Sequence, residues 1–562
     1  MLGKSGEKVI LLGNEAIVRA ALESGVQFVS TYPGTPASEI GNLFYELSQS
    51  RVRLGQSRVR LGQSRVRLGQ GPNRLGKGFL FEFSVNEKIA LEAGMGASFS
   101  GLKVLVAMKN FGANVCQDAL LPLMYSGSLG PMVILVADDP SCHSSAQSEE
   151  NSRFISYLGH IPMLEPADPA ECLEFTKLAF VLSQKFKTPV IIRTTTRVSH
   201  QRAIVKLGKF ESKIRPPVGE FVKDKEKFVT LPPRVLEMKK ELLEKIEKIR
   251  DFAEKSSLNR VENERNDINQ KIGIITSSVS YLYVLEALKE LKTSVPILKL
   301  GFFYPLPRKK IERFIRGKKK VLVVEELEPI LEKEARELAK EVNPKLEILG
   351  KNLLSEVGEL KPESITVAIA KLIKKRYNIR QTVYNIRISR RHPQPCPGCP
   401  YWLVFGALRQ AVNPEKVIWG GDIGCYMLAG TPIIDLQDYL FCMGSSLGIG
   451  HGIKKASQQK LIAFIGDSTF FHSGIPALIN TVINRSNPLI IILDNRTTAM
   501  TGHQPSPGEK IAIEEIVKAC GVKNIKVLDP ANQKEMIEAV KDFLDKEEVS
   551  VIISRHPCLF VK

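Results

Sequence analysis

Two short polar sequences carry the first chemical signal. Gly466-Asp467-Ser468 and Asp494-Asn495 each follow a strongly apolar run, 461–465 and 489–493. Runs of that length and composition read as buried strands. In one parallel sheet both ends would open at its carboxyl edge, where ligands bind in open α/β sheets. One carboxylate and one amide oxygen so placed suit a hard cation such as Mg²⁺, completed by a backbone carbonyl and phosphate oxygens. Upstream, Gly444-Ser445-Ser446-Leu447-Gly448-Ile449-Gly450 could turn backbone N–H groups toward a diphosphate, or simply let helices pack closely.

The amino-terminal third repeats the pattern of polar residues after apolar runs. Thr31-Tyr32-Pro33-Gly34-Thr35-Pro36 ends one run. Thr35 as cap and Pro36 in the first turn predict a helix start there. In Val85-Asn86-Glu87-Lys88, Glu87 stands just inside the next helix start, where a carboxylate complements the dipole; Glu92 lies more than a turn on. Lys109-Asn110-Phe111-Gly112-Ala113-Asn114 follows a further strand, and His143, Ser144 and Ser145 sit in a similar loop, 138–153. Of nine cysteines, Cys396 and Cys399 form a Cys-x-x-Cys whose Pro397 and Gly398 favour a tight turn. Alone that pair could be redox-active, zinc-binding or idle. Cys116, Cys142, Cys172 and Cys520 read as core thiols.

These residues need a scaffold. The 562 residues suggest three to four domains, taking roughly 150 residues for each. Apolar strands alternate with amphipathic helices, which predicts a multi-domain α/β protein with parallel sheets. Strands are expected at 9–13, 28–32, 79–83, 104–108, 132–137 and 189–193 within a first α/β domain, 1–205. A charged segment, 206–268, with apolar residues at helical spacing reads as a helical linker. A second α/β domain, 269–380, with strands at 272–276, 295–300, 320–324 and 346–349, offers no polar constellation and reads as packing or assembly. The third, 395–562, has strands at 417–420, 461–465, 489–493 and 549–554.

Composition excludes several classes. Hydrophobic residues make up 43% and charged residues 25%, ordinary for globular domains. No apolar run nears the ~18 residues of a membrane span, and the start lacks a secretory signal, so a cytoplasmic protein without structural disulfides is expected. The net charge of +19 invites a nucleic-acid reading. Part of it is local, however. Residues 50–70 hold three tandem copies of Ser-Arg-Val-Arg-Leu-Gly-Gln, with two arginines each and no acid, read as a basic loop expansion. With no aromatic interleaving, neither nucleic acid nor membrane is an expected partner.

The longer stretches Asp467-Ser468-Thr469-Phe470-Phe471-His472 and Asp494-Asn495-Arg496-Thr497-Thr498-Ala499-Met500-Thr501-Gly502-His503-Gln504-Pro505 carry a resemblance. They are similar to the large subunits of indolepyruvate:ferredoxin oxidoreductases, members of the thiamine-dependent 2-oxoacid:ferredoxin oxidoreductases. The resemblance spans almost all of residues 8–560 apart from the arginine repeats. Its thiamine motif departs from the usual Gly-Asp-Gly and paired asparagines at Ser468 and Asp494. It implies thiamine-diphosphate-binding folds, with 1–205 holding the pyrimidine ring, 269–380 resembling a transketolase carboxyl-terminal domain, and 395–562 holding diphosphate and Mg²⁺.

Residue by residue, the resemblance gives Asp467, Asn495 and the Thr497 carbonyl to Mg²⁺. It gives Gly34, Asp422, Gly466, Ser468 and Met500 to the cofactor's surroundings and Glu87 to the aminopyrimidine. Thr35 becomes a candidate for the substrate carboxylate or carbonyl, and Lys109 and Asn114 for the substrate carboxylate or the cofactor. Cys396, Cys399, Cys425 and Cys558 match a [4Fe–4S] ligand set, with Cys442 as a spare and zinc as the rival occupant. The implied reaction is oxidative decarboxylation of an aryl 2-oxoacid such as indolepyruvate to an acyl-coenzyme A, with electrons passed to ferredoxin. A smaller second subunit and a dimer or heterotetramer are the implied assembly. Two departures stand out: no ferredoxin-like domain is expected after residue 562, and Tyr401 stands where the family often has histidine. The alternative is a non-oxidative thiamine-dependent decarboxylase or carboligase, which would not need the four cysteines.

Overall fold

The computed structural model describes residues 1–49, 78–210, 218–263, 270–378 and 392–561. The arginine repeats lie outside them. Two compact units divide the chain: Met1–Ser145 with Glu149–Thr382, and Ala146–Ser148 with Val383–Lys562. Each contains the parallel sheets that the alternating pattern predicts.

The first unit opens with β1 (Lys8–Leu12), β2 (Phe28–Thr31), β3 (Leu80–Phe83), β4 (Val104–Lys109), β5 (Met132–Asp138), β6 (Met163–Leu164), β7 (Val190–Thr195) and β8 (Arg202–Lys206). β9 (Arg260–Glu262), β10 (Ile272–Ser277), β11 (Ile297–Leu300), β12 (Phe302–Tyr304), β13 (Lys320–Val324) and β14 (Glu347–Leu349) follow. A seven-stranded sheet runs β12-β6-β7-β5-β4-β2-β3, parallel except for β12. β4, β5 and β7 are buried throughout, because helices cover both faces of a parallel sheet. Their continuous aliphatic sequences follow from that.

Two features differ from the expected pattern. β1 does not enter the large sheet; it pairs antiparallel with β8, and each fully buries one residue, Leu11 and Val205. Helical alternation alone could not separate such a ribbon from the parallel strands. The middle sheet, β14-β13-β10-β11-β9, takes its edge strand β9 from the charged segment read as a linker, and β12 crosses back into the amino-terminal sheet. Three-residue strands have too little pattern to be seen beforehand.

The middle region is also not merely apolar. Arg153 makes a two-pronged bond to Glu165 (2.6 and 2.7 Å) and reaches Glu325 (3.0 Å) and Ser277 (2.8 Å). Arg193 bonds Asp138 and Glu165 at 2.7 and 3.0 Å. All six residues are buried, so the ends of β5, β10 and β13 meet around charge.

The second unit holds β15 (Val417–Gly420), β16 (Lys460–Gly466), β17 (Leu489–Asp494), β18 (Thr497–Thr498), β19 (Gln504–Pro505), β20 (Asn524–Leu528) and β21 (Ser550–Arg555). Its main sheet, β15-β16-β17-β21-β20, is wholly parallel. β18 and β19 form a small hairpin after β17. Among the described residues, no helix is long and apolar enough to cross a membrane.

Candidate active site

β16 and β17 are neighbours, with Gly466 opposite Leu493. This register brings Asp467 and Asn495 out at adjacent strand ends, as expected from their positions after the apolar runs. Both are buried. Burial pushes the Asp467 carboxyl up to about 7, and neighbouring Asp494 adds to the effect. Its Oδ2 is buried beside the Ser506 hydroxyl, and neither atom forms a hydrogen bond of normal geometry. A buried carboxylate oxygen without a partner is costly unless a cation completes it. Asn495 turns its Oδ1 to the Thr497 N–H (3.2 Å). An oxygen-rich pocket of this kind fits Mg²⁺ and the diphosphate it would carry.

Neighbouring groups hold these two in place. Asp494 accepts from Arg555 at 2.7 Å and lies 3.5 Å from Arg496, which neutralises the carboxylate that replaces the usual asparagine. The Thr497 hydroxyl donates to the Gln504 carbonyl across the hairpin, and Thr498 donates to Ser468 at 3.1 Å. Gly466 sits against the Tyr426 ring, where an added Cβ would come within 2.7 Å of a ring carbon. Met500 is exposed. Asp422 accepts from the N–H groups of Ile423 (2.7 Å), Gly444 and Ser446 (both 3.0 Å), so its carboxylate shapes the glycine-rich loop. Burial pushes it up to about 6. Gly444 has φ +85 and lies against Ser473, a position that suits glycine on both counts.

Cys396, Cys399, Cys425 and Cys558 line one cavity of about 120 Å³, together with Tyr401 and Asn495. Gly398, at φ +75, makes the turn between the first two. Cys558 is tied to the neighbouring site directly, since its N–H donates to the Asn495 carbonyl at 3.0 Å. Burial and the other three thiols push Cys425 up to about 12. Tyr401 is buried between this cavity and Asp467, which raises its phenol. Cys442 is exposed and does not line the cavity. Among the described residues, no three His, Cys, Asp or Glu side chains gather tightly enough for a single metal ion. Of the cysteines read as core thiols, Cys116 and Cys172 are buried, whereas Cys142 and Cys520 are partly exposed.

In the first unit, polar residues follow the carboxyl ends of β2, β4 and β5. Asn86 caps the helix Glu87–Phe99 by accepting from the Ile89 N–H at 2.9 Å. Glu87 is buried against Gly112, where an added Cβ would come within 2.4 Å of its Cγ. Glu92 stays at the surface, 3.8 Å from Lys88. The structure therefore separates two glutamates that sequence alone ranks only by position. Gly34 approaches the Lys109 side chain closely, with 2.9 Å from an added Cβ. The helix start expected at Thr35 is displaced. A turn closed by the Ala37 N–H on the Gly34 carbonyl (2.8 Å) comes first, and the helix begins at Ser38. The Thr35 hydroxyl lies 3.4 Å from that of Ser38.

Lys109 is buried and donates to the Ser144 carbonyl at 3.0 Å. Burial pulls its ammonium down, opposed chiefly by Asp139, 3.6 Å away. Asn114 bonds Glu150 at 2.8 Å near the surface, and His143 lies 3.6 Å from Glu359. Sequence reading missed Asp139 and Gly112. An acid directly after an apolar run and a glycine inside a short helix were the signals present.

Residues 19–248 match the family model for pyruvate flavodoxin/ferredoxin oxidoreductase, thiamine diphosphate-binding, which includes Glu87. Residues 422–554 match that for the thiamine pyrophosphate enzyme carboxyl-terminal TPP-binding domain, which includes Asp467 and Asn495. The indolepyruvate oxidoreductase subunit IorA of Methanothermobacter thermautotrophicus is 42% identical over 99% of this chain and 88% of its own. Those of Thermococcus kodakarensis and Archaeoglobus fulgidus are 39% and 38% identical, over 100% and 98% of this chain and 87% of each relative. With both thiamine-binding regions matched and the likeness running nearly end to end, this chain belongs to the IorA family of indolepyruvate oxidoreductase subunits.

Proposed function

We propose that this chain is the thiamine-diphosphate-bearing subunit of an enzyme that oxidises aryl 2-oxoacids. In the overall reaction, a 2-oxoacid, coenzyme A and two oxidised one-electron carriers of the ferredoxin type give acyl-coenzyme A, CO₂, a proton and two reduced carriers. When bound, thiamine diphosphate supplies the nucleophilic carbon and the electron sink.

The chain's own groups bind, orient and hold protons. Asp467, Asn495 and the Thr497 carbonyl hold Mg²⁺, and with it the diphosphate. Glu87 shares a proton with the pyrimidine ring nitrogen from a buried position, so the proton is not lost to water. Lys109 and Thr35 hold the substrate carboxylate. The four thiolates hold an iron–sulfur cluster, for which a shared cavity beside Asn495 is the supporting observation. The assembly is a dimer or heterotetramer completed by a smaller second subunit. The observation that carries this reading is the buried, uncompensated Asp467 oxygen at the end of β16, next to Asn495 and the cysteine-lined cavity.

Anaerobic purification of the complex tests it. Iron, sulfide and thiamine diphosphate should be bound, and a panel of 2-oxoacids with coenzyme A should reduce a viologen dye, aryl pyruvates fastest. Cofactor bound without iron would point instead to a non-oxidative decarboxylase.

A further inference from the structure

The two substrate-side candidates of the first unit are linked through one carboxylate, Lys109 directly and Thr35 by way of Ser144. Asp139 follows directly on β5. Its Oδ2 accepts from the Ser144 N–H (2.8 Å), the Ser144 hydroxyl (2.9 Å) and the Ser145 hydroxyl (2.6 Å). Its Oδ1 accepts from the Thr196 hydroxyl (2.5 Å), just past β7. Lys109, the last residue of β4, lies 3.6 Å from the same Oδ2 and donates to the Ser144 carbonyl. The Ser144 hydroxyl also lies 3.2 Å from the Thr35 carbonyl, beyond β2. Asp139 thus joins the ends of three neighbouring strands, and Ser144 extends the contact to the segment beyond β2.

The loop that carries these contacts is held in an unusual shape. Ser141 and Cys142 are consecutive non-glycine residues with φ of 67 and 51. Such backbone persists only where its surroundings over-determine it. Here Ser141 donates its N–H to Glu149 (2.6 Å) and accepts at its hydroxyl from the Glu359 N–H (2.8 Å). Glu149 also accepts from the Gly358 N–H at 3.0 Å. The loop is pinned before any substrate arrives.

We propose that Asp139 is the positioning residue of the substrate-carboxylate site, holding the Lys109 side chain and seating Ser144 against Thr35. This rests on the reading in which Lys109 holds the substrate carboxylate. The charges around Lys109 are Asp139, Cys142 and Glu150, with the Phe111 ring 5.2 Å from its ammonium. Asp139 in turn faces Lys109, Cys142 and His200. Of the groups near Lys109, Asp139 most strongly opposes the loss of its proton on burial.

The test is Asp139→Asn in the complete, cofactor-loaded complex. KM for indolepyruvate should rise about tenfold at pH 8 with kcat changed far less, the pattern of lost uniform binding. The alkaline limb of kcat/KM should move to lower pH by about one unit, because a lysine without its carboxylate loses its proton earlier. Calorimetric binding of indole-3-propionate, which cannot react, should shift with pH in the same way. An affinity loss equal at all pH values, with the limb unmoved, would reduce Asp139 to a structural residue and overturn the proposal. Should Asp139→Asn fail to fold by thermal unfolding, Asp139→Ser also removes the charge beside Lys109 and should move the limb the same way; an unmoved limb there is equally fatal. Lys109→Met separates the two levels. Unchanged KM in that variant would sink the reading of Lys109 itself, whereas a raised KM beside a silent Asp139→Asn would sink only the role of Asp139.

Discussion

Single atoms set the requirements of the two halves. Glu87 is buried against Gly112, so its position depends on the absence of one methyl group. Gly112→Ala should displace Glu87 and cost about 2 kcal/mol by overpacking, measured by thermal unfolding, with turnover falling further than stability. Glu87→Gln keeps the shape and should retain thiamine diphosphate while losing at least about a hundredfold in turnover. Undiminished activity there would end its assignment. Asp467 makes the converse case. Its partnerless oxygen disfavours the metal-free protein, so Asp467→Asn should be at least as stable as the wild type without Mg²⁺ yet fail to retain cofactor. Equilibrium dialysis with and without Mg²⁺ reads the second effect and thermal unfolding the first.

At the scale of elements, strand ends do the aligning. β16, β17 and β21 lie side by side, and Asp467, Asn495 and Cys558 come from the segments just beyond them. The Cys558 N–H bond to the Asn495 carbonyl makes cofactor loop and thiol cavity parts of one support. Cys558→Ala should remove iron, seen by loss of visible absorbance and by metal analysis, while leaving at least part of the thiamine diphosphate bound. Retained iron would pass the ligand role to another cysteine. The same adjacency explains the tolerated Asp494, which accepts from Arg555, an arginine that on its other side donates to Glu514 at 2.5 Å.

Across the whole chain, the least expected feature is the charge buried in the first unit. Glu326 is pushed up to about 7 by burial, and Glu325 and Asp138 are also raised, against Arg153, Arg193 and Lys351. A carboxyl whose folded pKa exceeds its unfolded value binds its proton more tightly when folded. Its contribution is therefore full below about pH 4.3 and falls as pH rises toward 7. Glu326→Gln should abolish that slope and raise stability at pH 8 by roughly 3 kcal/mol, measured by denaturant unfolding at several pH values. A variant no more stable than wild type at pH 8 would refute the assignment.

The strand-rich alternation, the two polar strand ends, the Cys-x-x-Cys and the helix start at Glu87 were all legible in the residues themselves. Periodicity and local capping are properties of short windows, so they carry over into the fold except where tertiary contacts override them, as at Thr35, where a turn precedes the helix that begins at Ser38. Three things were decided only in three dimensions. Which strands pair, including the β1–β8 ribbon and the crossing of β12, depends on contacts between distant segments. The meeting of Cys396, Cys399, Cys425 and Cys558 around one cavity depends on where separate strands end. The hub at Asp139 and the charge around Arg153 arise because side chains from several strands are driven into one low-dielectric interior, where each charge must find whatever partner the sheet order brings beside it.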